Sequence, residues 1–164
     1  MEFEAFRVIA QIAAGLAGFV GILLVLQDRL ARLPRRQMLG FLQSSIGTLA
    51  FALLPDFVFS LPITPELGWQ ILGGLFGAYH LFIYVFFLSG YGDFRKMPPI
   101  QATVCIASIP VIGAKLALGV GLFAALAPNI YHLGLLWTVG VSIFFFVQVI
   151  LNEASDDAHK VGKK

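Results

Sequence analysis

Residues 8–38 read VIAQIAAGLAGFVGILLVL and then QDRLARLPRRQM. The first run is uncharged, and Gln11 is its one polar side chain. The second carries Arg29, Arg32, Arg35 and Arg36. A membrane-crossing helix needs roughly 20 mostly apolar residues. A short basic link beside such a run marks the face on which cationic loops are retained. The alternation of apolar run and short link continues along the chain. It predicts an all-α polytopic membrane bundle of five transmembrane helices.

The expected spans are about 8–26, 39–61, 69–91, 101–127 and 131–151, with a polar tail at 152–164. Residues 1–164 then form a single transmembrane domain, since five spans leave room only for links and a tail. Helices are expected because uninterrupted apolar runs lack the alternation of barrel strands. Composition agrees: 12% of residues are charged, against about 25% in soluble domains. The chain opens Met-Glu-Phe-Glu-Ala-Phe-Arg, acidic where a cleavable signal is basic, and the run behind it exceeds a signal core. The first span is therefore expected to be retained.

Counting Lys and Arg by link fixes the expected orientation. The link at 62–68 and the short link at 128–130 hold none, whereas 92–100 holds Arg95 and Lys96 and the tail holds Lys160, Lys163 and Lys164. With the four arginines of the first link, nine of eleven cationic residues fall on one side. The positive-inside bias puts that side in the cytoplasm, the N-terminus outside and the C-terminus cytoplasmic. Span four is the weakest because it contains Lys115, but without it the basic tail would emerge on the wrong face. Trp69, Tyr91 and Tyr131 fall near expected span ends, where amphipathic rings sit at the interface. The net charge of +2 belongs to these links, so no nucleic-acid partner is expected. The partners expected are the lipid bilayer and either copies of the chain, as a homo-oligomer, or another membrane protein.

Small residues four apart make grooves where helices approach closely. Span one has Ala14 with Gly18 and Ala17 with Gly21; span three has Gly73 with Gly77 and Gly74 with Ala78; span four has Gly113, Ala117 and Gly121. Gly18, Gly21, Gly73, Gly77, Gly113 and Gly121 are the expected helix-packing positions, within one chain or between chains.

Asp56, His80 and Lys115 are the ionisable residues well inside the spans. A charged side chain at mid-bilayer costs about 2.5–3.5 kcal/mol on insertion scales, so such residues pair or face a wet cavity. From about 1.5 Å rise per residue, Asp56 and Lys115 fall at comparable heights, with His80 deeper. Three readings are open: a polar site or permeation path built from all three; an Asp56–Lys115 ion pair that fixes helix order; or a local role in which Asp56 caps a helix restarted after Pro55. Pro55 and Pro110 can each kink a span. Gln43, Ser44, Ser45 and Thr48 in span two, with Thr138, Ser142 and Gln148 in span five, supply further polar groups for interhelical bonds or a pore lining.

No motif brings chemistry with it. Cys105 is alone, which excludes a disulfide within the chain. Zinc-protease helices, paired-cysteine sites and phosphate-binding lysine loops are missing. The stretch Gly119-Val-Gly-Leu-Phe-Ala matches a dinucleotide fingerprint in letters but has no strand before it. Leu88, Tyr91 and Arg95 fit a sterol-contact pattern. His132, His159, Asp156 and Asp157 read as solvated. No cofactor, metal or catalytic residue is expected.

Ala17-Gly-Phe-Val-Gly-Ile22, the basic link after it, Leu54-Pro55, Trp69, and Tyr131-His-Leu-Gly-Leu-Leu136 with Phe146 downstream resemble a group of small prokaryotic five-span membrane proteins with no assigned activity. The resemblance spans nearly the whole chain and implies a five-helix bundle in a prokaryotic plasma membrane. The function expected is a small transport or permeation component using an intramembrane polar site. The alternatives are a non-catalytic accessory subunit of a membrane complex and, third, a lipid- or quinone-linked membrane enzyme.

Overall fold

A long apolar run out of reach of water satisfies its backbone by bonding within itself, and each run here is helical. The computed structural model describes residues 4–25, 35–89 and 97–161, with side-chain surroundings over 4–22, 40–89 and 97–148. The helices are α1 (Glu4–Val25), α2 (Arg35–Val58), α3 (Pro65–Ser89), α4 (Pro99–Gly119) and α5 (Ala127–Val161), with a short 3-10 turn at Ala124–Leu126. Among the described residues, five helices are long and apolar enough to cross a membrane. The basic residues that set the expected orientation lie outside the residues whose side chains are described.

The helix ends differ from the hydropathy-based boundaries for local chemical reasons. α3 starts four residues before Trp69 because Thr64 caps it. The Leu67 N–H donates to Thr64 Oγ1 at 3.3 Å and the Gly68 N–H to the Thr64 carbonyl at 3.0 Å. Pro65 opens the first turn, where its missing N–H costs nothing. α4 stops at Gly119, well short of residue 127. The Leu122 N–H reaches back to the Ala117 carbonyl at 2.9 Å and the Gly121 N–H to the Leu118 carbonyl at 3.0 Å. This is the paired closure of a Schellman cap, and Gly121 holds its left-handed position at φ +85°. Gly121 thus lies in the stop just beyond α4, where a Cβ would also stand 2.8 Å from Gln70 Nε2 of α3. α5 starts at Ala127 and runs to Val161, into the expected polar tail.

Two helix pairs, α1 against α2 and α3 against α4, are joined by α5, which touches all four other helices. The pairing of α3 with α4 depends on glycine. A Cβ at Gly73 would lie 2.7 Å from Leu118 Cγ, and one at Gly77 would lie 2.8 Å from Leu116 Cδ2. Gly18, Gly21 and Gly113 have open space where a side chain would go, so they mark no close approach among the described residues.

The core is aromatic and gathers at the end of the bundle where α3 and α5 begin. Tyr131 is fully buried, with ring centroids 5.3 Å from Phe76, 5.7 Å from Trp69 and 5.9 Å from Phe6. Trp69 and Tyr131 are therefore core residues and not interface anchors, because both helices start earlier than expected and carry these rings a full turn inward. Pro55 explains the Tyr131 hydroxyl. Proline has no N–H to give the carbonyl four residues back, and that carbonyl, on Phe51, accepts from Tyr131 Oη at 2.6 Å. α2 thus continues through Pro55 to Val58 without a restart.

Polarity is arranged inside out. Phe57, Phe82, Phe86 and Leu133 are exposed, whereas Ser45, Thr48, Lys115, Thr138 and Ser142 are buried. Apolar groups outside and polar groups inside suit a multi-pass protein surrounded by hydrocarbon, where helix association relies on close packing and interhelical hydrogen bonds.

Candidate functional site

Lys115 lies on α4 facing α3 and α5, and none of its surface is exposed. Its stem fits a notch at Gly134 on α5, where a Cβ would overlap Lys115 Cε. The Nζ meets three groups: His80 Nδ1 at 2.5 Å, the Gly134 carbonyl at 3.3 Å, and the face of Phe76 at 3.5 Å from the ring centroid. An ammonium has three N–H donors, and here an imidazole nitrogen, a carbonyl and an aromatic face take one each. Phe76 also stacks on His80, centroids 5.3 Å apart and planes 14° from parallel.

From His80 a run of hydroxyls leads along α5 to α2. Thr138 Oγ1 lies 3.4 Å from His80 Nε2 and donates to the Gly134 carbonyl at 2.8 Å. Ser142 Oγ lies 2.9 Å from the Thr138 carbonyl and 3.1 Å from Ser44 Oγ. Thr138 and Ser142 share one face of α5 at helical spacing. With Lys115 donating to Nδ1, the pattern assigns the imidazole proton to Nε2.

A cavity of about 340 Å³ lies beside this run. It is bounded by Gly40–Ser44 of α2, His80–Ser89 of α3, Val104–Ile112 of α4, and Val141 and Phe145 of α5. These are the second and third turns of α2, the last turns of α3, and the middle turns of α4 and α5. The cavity thus occupies the half of the bundle opposite the aromatic core, at the end from which the basic links depart in sequence. Its wall is mainly apolar. Gln43, Ser44, His80, Tyr84, Ser89 and Ser108 contribute polar groups, and among the described residues no carboxylate lines it. His80 forms its inner end, so one imidazole joins the cavity to the buried lysine.

Of the three residues expected to form a polar site, the structure brings His80 and Lys115 into contact and leaves Asp56 apart. The Asp56 carboxylate accepts from Arg7 Nε and Nη2, both at 3.3 Å, and both side chains are substantially exposed. Asp56 sits two residues from the end of α2, where the first turns of α1 bring Arg7 alongside. No Asp56–Lys115 pair forms, and the polar site is His80 with Lys115. An exposed pair of this kind contributes about 0–1 kcal/mol. Asp56→Asn should therefore leave thermal unfolding in detergent nearly unchanged; a large drop in the midpoint would contradict this assignment.

Two residues of the site were not expected from the sequence: Gly134, whose small size makes space for Lys115, and Phe76, whose ring covers it. Gly134 precedes Thr138 by one helical turn, which was the available signal. Gly134→Ala should force Lys115 away from His80 and cost about 1–3 kcal/mol, as overpacking does. The cost should shrink in a Lys115→Ala background, where the overlapping atoms are gone. Equal costs in both backgrounds, read from thermal unfolding, would show that the clash lies elsewhere.

Among the described residues, no three His, Cys, Asp or Glu side chains are grouped to hold a metal ion. The chain matches no protein-family model, no curated protein and no solved structure.

Proposed function

We propose that this chain is a small multi-pass membrane protein that takes a mainly apolar small molecule into an intramembrane pocket, as a component of transport across the bilayer. The observation that carries this reading is the roughly 340 Å³ cavity ending on His80, with Lys115 buried behind it. Small-molecule pockets are of this kind: about 300–1,000 Å³, largely apolar, with a few placed polar groups. A polar group kept inside an apolar bundle is costly and is characteristically functional. Beyond His80 the packed rings of Phe76, Tyr131 and Trp69 close the bundle, which favours a pocket open toward one side over a continuous pore. In the orientation read from the basic links, the pocket belongs to the cytoplasmic half and the N-terminus lies outside, in a prokaryotic plasma membrane.

Gly15, Gly18 and Gly140 are exposed with nothing packed on them. Such positions suit contact with further helices, which supports work as an oligomer or beside a membrane-protein partner. Purification in mild detergent separates these two: copies of the chain alone support the first, and a stoichiometric foreign subunit supports the second.

Occupancy of the pocket is testable because Trp137 Nε1 donates to Ser108 Oγ at 3.1 Å, and Ser108 lines the cavity. A bromine-bearing amphiphile such as 11-bromoundecanol should quench Trp137 saturably in purified protein. Val104→Phe, which fills the cavity from α4, should abolish the saturable part. Quenching that rises only in proportion to added probe, or that is the same in Val104→Phe, would overturn the reading.

A further inference from the structure

We propose that the pocket's ligand is an acid: a free long-chain carboxylate whose apolar chain lies along Ile83, Phe87 and Phe145 and whose head meets His80, forming a carboxylate–His80–Lys115 relay. The inference rests on the pocket reading above and names its ligand.

The first observation is what Lys115 lacks. Its three neighbours, His80, the Gly134 carbonyl and Phe76, are uncharged acceptors, and Arg7–Asp56 is the one ion pair among the described residues. An ammonium enclosed in apolar surroundings is expensive unless a counter-charge is supplied. The second observation is where the pocket leads. Its lining includes His80, the residue that contacts Lys115, and no other imidazole, amine or guanidinium among the described residues. The third is the free side of His80. Its Nε2 has only the long contact to Thr138 Oγ1 at 3.4 Å, at the weak limit of a hydrogen bond, which a carboxylate oxygen would replace with a stronger one. Ser44 and Tyr84 add hydroxyls to the same lining, and among the described residues no acidic side chain there repels an anion.

The charges balance. A carboxylate that meets the ammonium, or an undissociated acid that gives its proton to the amine, arrives at the same bound state. In that state one proton is held between the acid and Lys115 through His80, and the pair is net neutral. A neutral pair is the form an apolar bundle accommodates best.

The test compares 11-bromoundecanoate with 11-bromoundecanol, equal in length and bromine position, by Trp137 quenching in purified protein. The acid should bind about tenfold tighter, the discrimination one charge-assisted contact supplies. Lys115→Met should erase that preference while the alcohol still binds. Dodecanoate should displace the bromo acid, and dioleoylphosphatidylglycerol in mixed micelles should not.

Equal saturable binding of acid and alcohol in the unaltered protein would overturn the acid and leave the pocket standing. Absence of saturable quenching by both would overturn the pocket as well. A preference for acid that survives in Lys115→Met, or displacement by the phospholipid, would overturn the relay or the free-acid assignment respectively. The comparison in the unaltered protein decides the matter even if Lys115→Met fails to fold.

Discussion

Gly119→Ala should destabilise the fold by about 3 kcal/mol, whereas Gly74→Ala should be nearly silent. The two glycines face each other across α3 and α4, but the approach is asymmetric. A Cβ on Gly119 would stand 2.6 Å from Gly74 Cα and 2.8 Å from Gly74 N, while a Cβ on Gly74 would stand 3.6 Å from Gly119 Cα. The first contact is with backbone, which cannot swing aside as a side chain can, so the helices must separate. Separation would also disturb Leu116 and Leu118, seated against Gly77 and Gly73, and the turn at Gly121. Overpacking a closed site costs about 1–3 kcal/mol, occasionally more, and a backbone-to-backbone clash belongs at the upper end. Unfolding in detergent followed by near-ultraviolet circular dichroism, which reports on Trp69 and Tyr131, gives the comparison. Equal effects of the two substitutions would mean that α3 and α4 do not cross as described.

Tyr131→Phe should destabilise the protein by about 1–3 kcal/mol, the cost of stranding a buried backbone acceptor. That cost should largely vanish when Pro55 is replaced by alanine. Pro55 removes the N–H that would normally serve the Phe51 carbonyl, and the Tyr131 hydroxyl fills the vacancy at 2.6 Å. The Pro55→Ala substitution would restore the helical N–H and give the carbonyl a second donor. A double-mutant cycle over Pro55→Ala and Tyr131→Phe should therefore show strong coupling between residues on α2 and α5. Additive costs would show that the hydroxyl is not a replacement for the missing helical bond. Ring loss is excluded as the cause, because phenylalanine keeps the contacts with Phe76, Trp69 and Phe6.

The five apolar helices were legible in the sequence because length and apolarity suffice to specify a membrane-crossing helix. His80 and Lys115 were legible as costly residues for the same reason. Which of the costly residues meet was not legible. Depth along a helix can be counted from the sequence, but the direction in which a side chain points depends on how each helix is rotated about its axis. Asp56 and Lys115 matched in height and did not meet. Asp56 instead found Arg7, a residue just before the first expected span.

Small-residue spacing was a partial guide. Gly73 and Gly77 do seat α4, yet Gly18, Gly21 and Gly113 have the same spacing and, among the described residues, open space where a Cβ would stand. The spacing states that a groove exists and not that it is filled. Gly119 was overlooked inside a letter match to an unrelated fingerprint, and Gly134 inside an apolar run. Both matter through what faces them across the bundle. Pro55 carried a readable message, a missing N–H on the Phe51 carbonyl, but the donor that answers it sits on α5 and appears only when the helices are assembled.

Both the pocket and its polar end require Lys115 to be enclosed at the centre of a bundle whose basic links share one face. Labelling of lysine amines with a membrane-impermeant reagent, mapped by mass spectrometry in inverted membrane vesicles, tests both parts in one measurement. Lys96, Lys160, Lys163 and Lys164 should react together while Lys115 stays unmodified until the protein is unfolded. Modification of Lys115 at the rate of the tail lysines, or of Lys96 and the tail from opposite faces, would contradict this arrangement.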